Sequence, residues 1–490
     1  MYNLLMGPFL AETLLITTLL LTLICDMVTQ KSDKPLTYSV TILGLLVTLV
    51  ACCYHPIAED VSLFDGHWVG QSFASVFKAA MTVTVLLVVI YSREYLRDWK
   101  EGLGEAYLLM LFSLTGMFVL VSGGSLLTLY LGLEMMTLPI YALVAMNREA
   151  VTAEASMKYF VMGALASGMI LYGISFLFGA GQTLFITELP QVLGAHAQDL
   201  FLLQMALVFI LVGIAFKLGV APFHMWVPDV YDGAPLPVTL FISTAPKIAA
   251  FGMAFLFLEQ SFSAMSTLWV SLLMILAVAS LAIGNLFALV QNNVKRLLAY
   301  SAIAQIGFVV LGLLAGPALG YQAALFYLLS YMLMTLVSFG CLTRLSGQGA
   351  EIEQVADLQG LAKVAPGSAF ILLLSLFSLT GIPPLLGFYA KFVVLDALLS
   401  LGYTTLAVTA LIFSVVGAFY YLRIVKVMYF EEPDLAVYRN FENNKKSGGL
   451  LISINAASLL LLGLFPAGLY YVCDFAFKGP TGLAIVPSFS

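Results

Sequence analysis

Five lysines and one glutamate lie inside long apolar stretches of this sequence. They are Lys78, Lys158, Lys217, Lys247, Lys391 and Glu134. A charge at the centre of a bilayer costs at least about 2.5–3.5 kcal/mol on insertion scales, so such residues usually serve a function. Burial favours the neutral amine of a lysine, whereas a nearby carboxylate favours the ammonium form. A lysine that gains or loses a carboxylate partner can therefore hold or release a proton.

The strongest candidates lie near the middle of their stretches or beside a predicted helix break. At about 1.5 Å per residue, Glu134 lies about 14 Å and Lys247 about 17 Å into their predicted helices, near the midplane of a core about 30 Å thick. Lys217 and Lys391 lie next to breaks. We favour a proton-transfer role for these three lysines, with Glu134 as a partner that modulates Lys217. The alternative for Glu134 is a fixed structural ion pair.

Other polar residues allow a second interpretation. Lys78 and Lys158, near helix ends, fit an internal salt bridge or a snorkelling side chain equally well. His224 could relay protons or cap a helix end. Asp229 and Asp232 are typical of turn and helix-capping residues.

Small polar residues recur in the later stretches. They could hold water between the lysines or form hydrogen bonds between helices. They include Ser243, Thr244, Ser301, Gln305, Ser330, Ser378 and Thr380.

Two of the apolar stretches contain helix breaks. The stretch from Gly367 to Leu399 is too long for one straight crossing and contains Thr-Gly-Ile-Pro-Pro at 380–384. The other stretch is the seventh along the chain, from Phe201 to Val220, and it leads into Lys-Leu-Gly-Val-Ala-Pro at 217–222. Proline removes a backbone donor and glycine permits a turn, so both motifs interrupt a helix. Interrupted helices at corresponding places in two units of opposite orientation indicate an inverted repeat that lines an ion path.

The composition indicates the class of protein in which these charged residues occur. Of 490 residues, 61% are apolar and 10% charged, far below the roughly 25% charge of soluble domains. The apolar stretches are about 20 residues long and do not alternate, which excludes a membrane β-barrel. We predict an all-α polytopic membrane protein of about 14 transmembrane helices in two inverted five-helix repeats, with helices 7 and 12 broken. Residues 1–105 would hold three N-terminal helices, 106–260 the first repeat (helices 4–8), 265–430 the second (helices 9–13) and 445–490 helix 14.

The basic residues predict the orientation, because Lys and Arg in short loops stay in the cytoplasm. Fifteen of 21 fall in or beside the odd-numbered connections, and only Lys478 lies in the carboxyl tail. Both termini should therefore lie outside the cytoplasm. The fifteen are Lys31, Lys34, Arg93, Arg97, Lys100, Arg148, Lys295, Arg296, Arg344, Lys363, Arg423, Lys426, Arg439, Lys445 and Lys446.

The residues that usually bind cofactors are few and scattered. The five cysteines never form C-x-x-C, and the four histidines are far apart. The glycine-rich phosphate-binding motifs do not occur in the sequence. We therefore expect no metal, redox cofactor or nucleotide on this chain.

Several motifs along the whole chain resemble subunit N of the proton-pumping NADH-quinone oxidoreductase, respiratory complex I. They are FKLGVAPFHMWVPDVYDGAP (216–235), YLGLE (130–134), MKYF (157–160), APKIA (245–249), NVKRLLAYS (293–301) and GIPPLLGFYAKF (381–392). The resemblance implies an antiporter-like membrane-arm subunit that translocates protons, coupled to quinone reduction in other subunits (EC 7.1.1.-). The family's hydrophilic axis would map onto Glu134, Lys217, Lys247 and Lys391, with Lys158, His224 and Lys295 as secondary candidates.

The resemblance also implies a setting for the chain. NADH, FMN, iron-sulfur clusters and quinone are expected in partner subunits. The partners would be the other membrane-arm subunits of complex I, the lipid bilayer and protons, with no nucleic acid. The location would be the bacterial inner membrane, with both termini periplasmic.

Two other functions remain open. Sister subunits L and M and the multisubunit cation/proton antiporters share the same plan. They usually have His-x-Trp-Leu-Pro-x-Ala-His in the seventh-helix motif, where this chain has WVPDVY at 226–231, and subunit M typically has Glu at the place of Lys391. One alternative is thus a subunit of a cation/proton antiporter. The other is a membrane assembly protein whose lysines only fix helix packing.

Overall fold

The computed structural model describes residues 7–29, 33–54, 61–97, 102–147, 149–191, 200–346, 351–433 and 449–478. In these ranges the chain is almost wholly helical, apart from a short hairpin of β1 (Val61–Leu63) and β2 (Trp68–Gly70). Six basic residues used for the orientation lie outside the described ranges: Lys31, Lys100, Arg148, Arg439, Lys445 and Lys446.

Within the described ranges, the first half contains ten α-helices, several of them shorter than a membrane crossing. They are α1 (Leu10–Val28), α2 (Pro35–Tyr54), α3 (Ser72–Arg97), α4 (Leu103–Val121), α5 (Leu126–Ala145), α6 (Ala150–Gly181), α7 (Leu200–Leu218), α8 (Trp226–Gly233), α9 (Leu236–Ile242) and α10 (Ala245–Phe255). A π-helical turn, Leu256–Ser261, extends α10.

The second half begins at Ser266. Its helices are α11 (Ser266–Leu289), α12 (Val294–Leu314), α13 (Tyr321–Leu345), α14 (Leu361–Val364), α15 (Pro366–Thr380), α16 (Leu386–Ser400), α17 (Thr404–Phe430), α18 (Gly449–Leu464) and α19 (Ala467–Lys478). Local signals set several starts. The Asn293 side chain, for example, accepts the backbone N–H of Arg296 and caps α12 at 3.0 Å, as an N-cap residue does.

The membrane-protein prediction is confirmed, but the number of crossings differs from the predicted fourteen. Twelve helices in the described part of the chain are long and apolar enough to cross a membrane, or thirteen if the bent pair α18–α19 is one span. The predicted twelfth crossing is split into α15 and α16, which have 15 residues each. Each half is shorter than the about 20 residues that a bilayer requires, so fourteen spans and the inverted repeat remain predictions.

The most completely buried helices form the centre of the bundle. The segment Leu236–Ser261, α12 and α13 are almost entirely enclosed, whereas α1 and α2 keep most of their surface exposed. Exposed apolar side chains on the outer helices suit contact with lipid. Because α10 and α12 are central, their lysines, Lys247 and Lys295, lie in the interior.

Two of the three N-terminal helices, α1 and α3, are joined by a buried ion pair. Lys78 on α3 lies 2.5 Å from Glu12 on α1, and both side chains are only 4% exposed. Trp68 donates its indole N–H to the same Glu12 oxygen at 3.0 Å. Of its two interpretations, Lys78 therefore has the internal salt bridge. Removing one partner of such a pair typically costs about 3–5 kcal/mol, so the pair ties α1 to α3.

Candidate functional site

The first helix break follows α7. This helix ends at Leu218, and Gly219 then takes a positive φ of 74°. The Ala221–Pro222 peptide bond is cis, and the chain becomes helical again at Trp226, where α8 begins. The last carbonyls of α7 therefore lie inside the protein without partners from a following turn.

Lys247, on α10, supplies those partners. Its Nζ donates to the carbonyl of Leu218 at 2.7 Å and to that of Lys217 at 3.4 Å. The ammonium also lies 4.9 Å from the centre of the Trp226 ring. The Trp226 indole N–H in turn donates to the Phe216 carbonyl at 2.9 Å. Lys247 is 2% exposed and is held by backbone dipoles and a ring.

The second break follows α15, where Gly381 has a φ of 92°. Lys391, on α16, donates its Nζ to the carbonyls of Thr380 at 2.8 Å and Leu379 at 3.2 Å. It also donates to Oγ of Ser414 on α17 at 2.8 Å. Lys391 thus caps the end of α15 as Lys247 caps the end of α7.

The two breaks share the same local design. Each has a glycine with positive φ, a cis proline three residues later and a lysine on the last two carbonyls of the first half-helix. The carboxyl end of a helix carries a partial negative charge that favours a cation. Discontinuous helices whose ends face an ion are typical of transport sites in membranes. The breaks differ in where the lysine comes from: the next span supplies Lys247, and the second half of the broken span itself supplies Lys391.

Lys217 and Glu134 are close enough to interact electrostatically, but their side chains do not form a direct ion pair. Lys217 is buried and donates to Oγ of Ser167 on α6 at 3.3 Å. The Oε1 atom of Glu134, on α5, is buried and has no hydrogen-bond partner. An orphaned carboxylate oxygen leaves Glu134 free to accept a proton or a donor, in contrast to the fixed structural pair that was its alternative.

A polar network leads away from Lys391 toward the centre. Gln305 donates its amide to the same Leu379 carbonyl at 3.0 Å and to the Tyr421 hydroxyl at 3.0 Å. Its amide oxygen accepts from Tyr327 on α13. A cavity of about 10 Å³ adjoins Lys391 and Gln305, which is room for about one water molecule.

The other small polar residues have more local contacts. The hydroxyls of Ser330 and Thr380 donate to carbonyls of their own helices at 2.7 and 2.8 Å, and Ser243 and Thr244 bond in the same way. Ser301 contacts Tyr421 and so joins the Gln305 network. Ser301 and Gln305 therefore belong to the network near Lys391, whereas the four hydroxyls just described satisfy their own helices. The remaining one, that of Ser378 on α15, accepts the backbone N–H of Gly387 on α16 at 3.0 Å.

The secondary candidates Lys158, Lys295 and His224 differ in their partners and in their position relative to the two breaks. Lys158 is 44% exposed and pairs with Glu154 at 3.0 Å and Asp229 at 3.1 Å. Lys295 is buried and pairs with Glu351 at 2.9 Å. His224 lies in the first break, with its Nδ1 buried and unpaired. Of the three, only His224 lies within a break.

Two acidic residues have functions that the sequence reasoning missed. Asp229 is an ion-pair partner of Lys158 and Arg296, which corrects its interpretation as a capping residue. Glu351 was not considered, yet it accepts from Lys295. Its position 56 residues from Lys295 gives no spacing signal, because only the fold brings the two together.

We expect Gly219→Ala to damage the first break. An added methyl group would lie 2.7 Å from Cγ2 of Val227 and 3.0 Å from Nζ of Lys247, at a φ that alanine rarely adopts. Such backbone strain costs about 1–3 kcal/mol. The midpoint of thermal unfolding of the purified protein should fall. In the control Gly168→Ala, where the methyl group meets no atom within 4 Å, the midpoint should not fall, because alanine is favoured over glycine inside a helix; equal midpoints for both variants would contradict the prediction.

A known protein family matches the part of the chain that contains both breaks. The family model described as NADH:quinone oxidoreductase/Mrp antiporter, TM, matches residues 123–417, which include both breaks. The NADH-quinone oxidoreductase subunit N of Laribacter hongkongensis is 45% identical, with 97% of this chain and 98% of the relative covered. That of Halorhodospira halophila is 46% identical, over 93% and 94% of the two chains.

Solved structures show the same architecture. A chain of respiratory complex I from Thermus thermophilus with bound aureothin is 31% identical, with a TM-score of 0.79 over 94% of this chain and 98% of that one. A chain of the Mrp complex from Dietzia sp. is 21% identical with a TM-score of 0.79, over 95% of this chain and 97% of that one, and shares the fold. By the identity and coverage of these relatives, the chain belongs to the NADH-quinone oxidoreductase subunit N family.

Proposed function

We propose that this chain is a membrane-arm subunit of NADH-quinone oxidoreductase and translocates protons, coupled to quinone reduction in other subunits. The observation that carries the proposal is the pair of broken helices, each closed by a buried lysine on its last carbonyls. An ammonium group that is held only by neutral dipoles can release its proton and become a neutral amine without breaking a salt bridge. Lys247 and Lys391 are therefore suited to bind and release a proton.

The magnitudes are consistent with coupling to an ion pair. Two unit charges about 4 Å apart interact by about 4 kcal/mol at an effective dielectric constant of 20. Moving one charge through about 150 mV takes roughly 3.5 kcal/mol. Closing or opening one Glu134–Lys217 pair could therefore drive one proton step. The structure has this pair open, which is one of the two states that the scheme requires.

Each residue has a distinct part in the proposal. Glu134 modulates Lys217, whose backbone carbonyl accepts from Lys247. Lys247 relays the proton to the central axis, and on that axis Gln305 lies beside Lys391, with which it lines a cavity that has room for about one water molecule. Lys391 exchanges the proton on the outer side. His224, in the first break, is a secondary site, as are Lys158 and Lys295.

The setting of the chain is part of the same proposal. Other membrane-arm subunits are its partners in the bacterial inner membrane, and both termini face the periplasm. NADH, FMN, iron-sulfur clusters and quinone belong to partner subunits. The enzyme class is then that of a proton-translocating NADH:quinone oxidoreductase (EC 7.1.1.-).

A subunit of a cation/proton antiporter is the second candidate. The matching family model covers both kinds of protein, and this shared description is the observation behind the second candidate. Purification of the chain from its own membrane separates the two. Co-migration with an NADH-oxidising assembly supports the enzyme, and co-migration only with other antiporter-like chains supports the antiporter.

We test the proposal with Lys217→Ala in the assembled enzyme, reconstituted in liposomes. Because Lys217 links Glu134 to the first break, the number of protons pumped per NADH should fall by the share that this chain contributes. Lys478→Ala is the control, because Lys478 pairs with Asp474 at the end of α19. Unchanged pumping per NADH in Lys217→Ala, at the full rate of quinone reduction, would sink the proposal.

A further inference from the structure

We propose that Asp229 is a positioning residue that holds α8 between the two halves of the chain and thereby sets the environment of Lys247. The inference rests on the proposed function. It assigns a role to an acidic residue that lies outside the lysine axis.

The Asp229 carboxylate joins two cations from different parts of the sequence. Its Oδ2 atom lies 3.1 Å from Nζ of Lys158 on α6, and its Oδ1 atom lies 3.0 Å from Nη1 of Arg296 on α12. Each oxygen thus takes one cation. Arg296 also lies 3.6 Å from Asp232, one turn further along α8. Asp229 alone in this cluster is paired with both α6 and α12, the two helices that flank α8.

The other end of α8 contacts the first break. The Trp226 ring stacks on Tyr159, with ring centres 4.6 Å apart and an angle of 13°. The Lys247 ammonium lies 4.9 Å from the centre of the same Trp226 ring. Tyr159 directly follows Lys158, so α6 holds α8 at two adjacent residues.

A short helix transmits a displacement at one turn to the next. Trp226 and Asp229 are three residues apart, so they lie on neighbouring turns of the same face. If the carboxylate loses one cation, α8 loses one of the two ion pairs of Asp229 and the ring can shift relative to Lys247. A cation is attracted to the face of an aromatic ring, so the shift changes how tightly the first break holds the ammonium.

The test compares Asp229→Asn with Asp232→Asn in the assembled enzyme, reconstituted in liposomes. Both variants replace one carboxylate of α8 by an amide of the same shape. Asp232 contacts Arg296 more distantly and accepts from Asn293 at 2.8 Å, but it has no contact with Lys158. The measured quantity is protons pumped per NADH, alongside the rate of quinone reduction. Because it is a ratio, a smaller amount of assembled enzyme does not alter it.

We expect Asp229→Asn to lose at least about half of the pumping that Lys217→Ala loses. Asp229→Glu should restore most of it, and Asp232→Asn should match the parent. Arg296→Met removes the cation on α12, which is not a candidate proton site, and should lose as much as Asp229→Asn. It provides a second reading if Asp229→Asn does not assemble.

Two results would overturn the inference. One is parental pumping per NADH in Asp229→Asn or, if that variant does not assemble, in Arg296→Met. The other is an equal loss in Asp229→Asn and Asp232→Asn, which would show a general effect of charge on α8. If Lys217→Ala pumps normally, the proposed function fails and the inference falls with it; if Lys217→Ala loses pumping and Asp229→Asn does not, only the positioning role fails.

Discussion

A Lys391→Met variant of the assembled enzyme is expected to reduce quinone while losing this chain's share of proton pumping. Methionine has nearly the same length but no proton to exchange and no donor for the Thr380 carbonyl, whereas the Leu379 carbonyl keeps its bond from Gln305. Each buried carbonyl that is left unpaired costs about 1–3 kcal/mol, so the variant should also unfold at a lower temperature. Pumping is measured in liposomes as acidification of the interior per NADH oxidised.

The matched control for this variant is Lys363→Met. Lys363 pairs with Glu432 at 2.7 Å, but both side chains are more than half exposed. Exposed pairs contribute little to stability, about 0–1 kcal/mol, and Lys363 touches neither break. If Lys363→Met and Lys391→Met pump equally, Lys391 does not carry protons.

A Lys247→Arg variant is expected to keep the first break intact and still lose pumping. Arginine can donate to the Lys217 and Leu218 carbonyls as Lys247 does and can stack on Trp226. Its guanidinium does not deprotonate in proteins, so it can cap the helix but cannot release a proton. The variant therefore separates the two roles that a lysine at this place can have.

The comparison for Lys247→Arg is Lys247→Met, which removes both roles. We expect both variants to lose pumping per NADH, and only the methionine variant to lose thermal stability by the cost of two unpaired carbonyls, about 2–6 kcal/mol. Normal pumping in Lys247→Arg would show that a fixed positive charge is sufficient. Lys247 would then act in packing alone, as in an assembly protein.

The breaks could be predicted from sequence because their signals are local. Glycine and proline act through their own backbone, so 217–222 and 380–384 are visible without the fold. The depth of Lys247 in its helix is also a matter of counting residues. The all-helical membrane architecture and the family followed from the same kind of local pattern, and both are confirmed.

The partners of the charged residues could not be predicted because they are distant in sequence. Glu12 and Lys78 are 66 residues apart, and Lys158 and Asp229 are 71 apart. No helical periodicity relates such residues, and only packing brings them together. The Lys391 ammonium bonds to carbonyls only 11 and 12 residues before it, but this contact depends on how the chain turns at the break, which helical periodicity does not describe.

The number of membrane crossings could not be predicted for a different reason. A break of five residues between α15 and α16 leaves two helices that are each too short to span a bilayer. Whether they form one crossing depends on how they are stacked in the membrane, and hydropathy does not contain this information.

The most direct test of the central claim, that the lysines at the two breaks belong to one proton path, is pumping per NADH in a double variant. Residues on a single path act as a unit, so their losses do not add. We expect Lys217→Ala, Lys391→Met and the variant that carries both changes to lose the same number of protons per NADH, at equal rates of quinone reduction. A double variant that loses the sum of the two single losses, or single variants that pump as the parent does, would contradict the account.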